Sequence, residues 1–196
     1  MLFSSFSSWR ILAAALPPSA ILRSSSVSSA GCLGRGQDAH EPGDRLGTYH
    51  ATGKLVSDSC QASVLGVSSD WQFDVKLSRL SHTLYWLNGA EAIPGTIAND
   101  GVSFGFQSGV EVPMQAAHGV QPGCVIQRTD DASGELSSSS TSDVPRFSAE
   151  MSFSYAVKSG SECAGFVGVE GGFAELPCKV SYSLSAKRTA LPPNLN

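Results

Sequence analysis

From Gly47 onward, apolar and polar side chains alternate with a period of two in run after run. In DWQFDVKLS, Trp71, Phe73, Val75 and Leu77 share one face, and Gln72, Asp74 and Lys76 share the other. In RFSAEMSFSYAVK, Phe147, Ala149, Met151, Phe153, Tyr155 and Val157 oppose Ser148, Glu150, Ser152 and Ser154. KVSYSLSAK repeats the beat with Val180, Tyr182, Leu184 and Ala186, and GVSFGF and TYHATGKLV give shorter versions. A side chain points to alternate faces at each step of a strand. This pattern therefore predicts half-buried antiparallel strands with one face on a core and one in water. The segments LNGAEAIPG, ANDGV, TDDASGE and SGSEC punctuate these runs with the Gly, Asn and Asp residues that tight turns favour.

The runs predict eight or nine strands at about 47–57, 70–78, 82–87, 93–98, 102–114, 124–129, 134–138, 146–158 and 178–188. The fold class is all-β: a single antiparallel domain over 47–188, built as a lipocalin-like barrel or a two-sheet sandwich, with a tail at 189–196. TDDASGE reads as a hairpin turn between the sixth and seventh of nine strands. Trp71, Phe73, Tyr85, Trp86, Phe104, Phe106, Phe153 and Tyr155 are expected mostly to point inward and fill the core. A barrel of about eight strands is also just wide enough to hold one small ligand. Trp71, Phe73 and Phe104 would line such a cavity. LGTY at 46–49 resembles the Gly-x-Trp opening of lipocalins, with Tyr49 in place of the tryptophan.

The chain before this domain has a different character. Its first acidic residue is Asp38, so the opening carries only positive charge, at Arg10, Arg23 and Arg35. ILAAALPPSAIL follows Arg10, and a serine-rich run ends at Ala30, which is the order of a secretory signal over 1–31. That apolar stretch is short of the roughly 20 residues a spanning helix needs. Residues 32–46 are rich in Gly and charge and read as a tether. SAGC, ending at Cys32, resembles the lipobox of bacterial lipoproteins, which implies cleavage before Cys32 and a lipid on its sulfur. Ser29 departs from the aliphatic residue usual there. Cleavage after Ala30 would instead release a soluble secreted protein, and an acid-free Arg- and Ser-rich opening also suits an organelle transit peptide.

Five cysteines fit the lipobox reading: with Cys32 acylated, Cys60, Cys124, Cys163 and Cys178 remain for two disulfides in an oxidising compartment. Nine alternating strands would put Cys60 and Cys124 at one end and Cys163 and Cys178 at the other, so the expected pairs are Cys60–Cys124 and Cys163–Cys178.

The remaining chemistry is sparse. His40, His50, His82 and His118 are far apart, without metal-ligand spacing, and no metal or other cofactor is expected. Asp130, Asp131 and Glu135 cluster around the TDDASGE turn but lack the ligand ladder of a calcium loop. GFVGVEGGF is Gly-rich without the spacing of a phosphate loop, and no GxSxG elbow is present. The net charge is −4, and −6 once Arg10 and Arg23 are removed, which disfavours nucleic acid as a partner.

Taken with EPGDRLGTY, DWQFDVKLS, TLYWLNGAEAIPGTI and ELPCKVSYSL, SAGC makes most of the chain resemble uncharacterised envelope lipoproteins of Gram-negative, particularly myxobacterial-type, cells. The resemblance implies outer-membrane placement and no assigned activity. The expectation is a non-enzymatic envelope protein, attached to the membrane through Cys32, that binds a protein, a glycan or a small apolar ligand or plays a structural part. The alternatives are a lipocalin-like carrier of an apolar molecule and an enzyme whose site is built from distant polar residues.

Overall fold

The computed structural model describes residues 41–190, apart from 88 and 90. The signal segment, Cys32, His40 and residues 191–196 lie outside the described residues. Eight strands follow one another: β1 (Asp44–Asp58), β2 (Asp70–Leu80), β3 (Thr83–Leu87), β4 (Ile93–Ile97), β5 (Ser103–Gln115), β6 (Cys124–Leu136), β7 (Arg146–Val157) and β8 (Cys178–Ala190). Each pairs antiparallel with the next, and β8 returns to pair with β1, closing an up-and-down barrel. Of the two architectures that the alternation allows, the chain adopts the barrel. β1 begins inside the stretch read as tether, where Leu46 is already buried and Glu41 bonds Arg45 at 2.9 Å. β8 runs two residues past 188, to Ala190.

One expected turn is absent. TDDASGE continues β6, which is a single strand from Cys124 to Leu136, so there are eight strands and not nine. Asp130, Ala132 and Gly134 face inward, while Asp131, Ser133 and Glu135 face out. At Gly134 the packing requires a glycine. Gly134 sits between Phe104 and Ala149, and a Cβ there would run into the Ser148 carbonyl and lie 2.7 Å from the Ala149 Cα. The three carboxylates of this stretch therefore do not converge.

Removing that turn reverses the direction of everything after it. The ends of β1 and β7 and the starts of β6 and β8 then all lie at one end of the barrel, bringing the four cysteines together there. The bonds are Cys60–Cys178 and Cys124–Cys163, each with Cα atoms 4.9 Å apart, in place of the pairs expected from the sequence. Each bond joins neighbours in the barrel wall, β1 with β8 and β6 with β7.

The opposite end is sealed. The loop after β6 tucks Val144 under the barrel, and the Tyr49 hydroxyl donates to the Val144 carbonyl at 2.8 Å. The Tyr49 ring meets Phe147 edge-on at 5.3 Å. Leu46, Leu77, Leu84, Trp86, Phe104, Phe106 and Leu136 complete this packed half. Tyr85 departs from the expected inward set, because its buried neighbours Leu84 and Trp86 take the inward positions of β3.

Candidate functional site: a notch in the barrel wall

The wall is not of uniform height. β3 pairs with β2 only from Lys76 to Leu80, and β4 pairs with β5 only at Thr96 and Ile97. No strand among the described residues pairs with the facing edges of β2 over Asp70–Val75 and of β5 over Phe106–Gln115. Six residues of strand correspond to a notch roughly 20 Å long. It opens toward the disulfide end.

Behind the notch, inward-facing residues keep part of their surface. Trp71 and Phe73 on β2 stack with ring centroids 4.4 Å apart, and both are half-buried. Trp71 also meets Phe153 of β7 at 6.1 Å and Tyr182 of β8 at 5.8 Å. Gly53 on β1 makes room for this cluster, since a Cβ there would lie 2.9 Å from Leu184 and 3.5 Å from the Trp71 ring. The floor is Trp86, 5.9 Å from Phe73 and 5.6 Å from Phe106. Of the three residues expected to line a cavity, Trp71 and Phe73 come together at the notch. Phe104 lies one ring deeper, packed on Phe106 and Phe147 in the sealed half.

A charged pair faces the same space. Arg128 and Asp130 are two residues apart on β6, so both point inward. Arg128 donates from Nε and Nη2 to the two carboxylate oxygens of Asp130, each at 2.7 Å. The guanidinium lies 5.6 Å from the Phe153 ring centroid, within cation–π range. Their side chains are 29% and 18% exposed, so the pair is neither lost in the core nor free in solvent. Burial raises the pKa of the Tyr155 phenol beside them, with Arg128 pulling the other way and Asp130 adding to the rise. The turn reading of TDDASGE concealed this pair. Continuing the period of two through Arg128, Asp130, Ala132, Gly134 and Leu136 reveals it.

The disulfide end carries a recess of about 490 Å³, lined by Ser63, Met114, Phe166, Val169 and Phe173 among others. Met114 is the last inward position of β5, and the rest come from the Ser63–Leu65 turn and the Gly-rich loop before β8. That loop turns Phe173 inward onto Tyr155, with centroids 5.8 Å apart. The outward strand faces carry Gln72, Lys76, Glu150, Ser183 and Lys187, the reverse of the apolar belt of a membrane-spanning barrel.

The histidines stay apart. His50 bonds Asp74 at 2.8 Å on the outer surface, and His82 and His118 are exposed in turns. Among the described residues, no group of three or more His, Cys, Asp or Glu is placed to hold a metal ion. No protein family, curated protein or solved structure matches this chain.

Proposed function

We propose that this protein is a non-enzymatic binding barrel of the cell envelope, which takes a small apolar molecule into the space behind the notch. One observation carries the reading. Trp71, Phe73 and Phe153 point inward yet remain partly exposed, while the inward residues nearer Tyr49 are sealed. Aromatic surface left partly exposed on the inside of a barrel, with a few polar groups beside it, is the kind of lining a small-molecule site uses. The two disulfides support an address outside the reducing cytosol. Attachment through a lipid on Cys32 belongs to the same proposal and rests on the sequence.

The test of binding is a titration with N-phenyl-1-naphthylamine, a neutral apolar fluorophore. The proposal expects saturable binding of one probe per chain, quenching of tryptophan emission, and at least a tenfold loss in Val110→Trp, which fills the opening from β5. Absence of saturable binding, or full binding by Val110→Trp, overturns it. The address is tested by intact mass from native membranes: a chain starting at an acylated Cys32 supports the anchor, and one starting at Gly31 rejects it.

A further inference from the structure

Resting on that reading, we propose that the site selects an uncharged apolar molecule bearing one hydrogen-bond-accepting carbonyl, with the carbonyl oxygen held by Arg128.

A guanidinium has five N–H donors in a fixed fork. Two of those on Arg128 are engaged by Asp130, and the remaining three meet no acceptor among the described residues. The engaged donors lie along the Nε–Nη2 edge, so the free ones include both hydrogens of Nη1. The group is also held in place. Asp130 grips one edge in bidentate fashion and the Phe153 ring lies 5.6 Å away, so the open donors keep a defined direction without a ligand. The Arg128 side chain is 29% exposed, so it is not sealed in the core, and on the binding reading its open donors are what a molecule entering past Trp71 and Phe73 would meet.

Charge decides between kinds of head group. Arg128 and Asp130 together are neutral. A carboxylate arriving at the free edge would be drawn to the guanidinium but set against the Asp130 carboxylate, and it would lose most of its hydration on entering an aromatic-lined space. An ammonium would be repelled by Arg128, which already neutralises the Asp130 carboxylate, and it would lose its hydration on entering. A ketone, ester or amide carbonyl accepts the free N–H groups with no net charge to desolvate, and the aromatic wall takes the apolar remainder.

The experiment measures displacement of N-phenyl-1-naphthylamine from the full chain by 2-undecanone, undecanoate, undecylamine and undecane. The ketone is expected to displace the probe at concentrations at least tenfold lower than either charged ligand. In Arg128→Met/Asp130→Leu, which exchanges the ion pair for apolar side chains, ketone affinity should fall about tenfold while undecane affinity is unchanged. Should that variant fail to fold, Arg128→Lys, which keeps the charge and loses the planar fork, should show the same selective loss. Stronger binding of undecanoate or undecylamine than of the ketone overturns the inference and leaves the binding barrel intact. A variant that weakens ketone and alkane equally, or neither, does the same. A wild-type chain that takes up no probe overturns the binding reading itself.

Discussion

Cys60 and Cys178 are separated by 118 residues, yet their Cα atoms lie 4.9 Å apart, because the first strand and the last share an edge. The bond thus ties shut the seam at which the barrel closes. Cys124–Cys163 ties β6 to β7 across a separation of 39 residues, at an edge that is already consecutive in the chain. In the chain-entropy account, loops of these lengths correspond to about 5 and about 4 kcal/mol of stabilisation. Cys60→Ser/Cys178→Ser should therefore be the more destabilised pair variant in urea melts, by roughly 1 kcal/mol. Non-reducing digestion should yield peptides linked 60 to 178 and 124 to 163. Recovery of a 60–124 link would reject the eight-strand topology.

The inner face of β6 has no room for extra atoms at its sealed end. Gly134→Ala would press a methyl group on the Ser148 carbonyl and the Ala149 backbone, neither of which can swing away, and should cost about 1–3 kcal/mol. Gly105 faces outward on β5, where the nearest atom to an added Cβ is the Thr96 hydroxyl at 3.7 Å. Gly105→Ala should be neutral or stabilise by up to about 1 kcal/mol through the unfolded chain. Equal losses in the two variants would contradict the assigned strand faces.

Much of this architecture was legible in the alternation, and the failures have specific causes. Trp71 to Leu77, Phe147 to Val157 and Val180 to Ala186 announce their inward faces because bulky apolar side chains occupy them. Arg128 to Gly134 does not. Its inward positions hold a charged pair, an alanine and a glycine, none of them a large apolar residue, while its Asp, Ser and Gly are types that turns use, and only their spacing separates the two readings. That one misplaced turn was enough to exchange the disulfide partners. The notch was illegible for another reason: it arises where β3 and β4 stop short, and the length of a ladder depends on partners distant in sequence. Of the candidate site, only the inward placement of Trp71 and Phe73 was legible from periodicity. That of Arg128 and Asp130 was not.

Ser78 has a fully buried hydroxyl with no hydrogen-bond partner among the described residues. Burying an unpaired hydroxyl is unfavourable by about 1–3 kcal/mol. Ser78→Ala should accordingly raise the thermal midpoint, whereas a lowered midpoint would show that the hydroxyl is satisfied in solution.

Burial pushes the Tyr49 pKa up to about 12, against an opposing pull from Arg188. The folded chain then keeps the phenol protonated while the unfolded chain ionises near pH 10. This contribution to stability is complete below pH 10 and is lost as the pH rises toward 12. Tyr155 and Tyr182 are shifted in the same direction, mainly by burial. Unfolding measured from pH 9 to 12 should show a steep fall that is shallower in Tyr49→Phe. That variant should also be less stable at pH 7, because the Val144 carbonyl loses its 2.8 Å donor. A parallel fall in both proteins would exclude Tyr49 as a source.

The most direct test of a ligand chamber behind the notch is nuclear magnetic resonance mapping of the isotopically labelled protein with added 2-undecanone. Saturable shifts confined to the Trp71 indole and to the amides of Phe73, Arg128 and Phe153, with the Trp86 to Tyr49 half moving little, are the result expected. Shifts scattered over the outer surface, or none at saturating ligand, would contradict it.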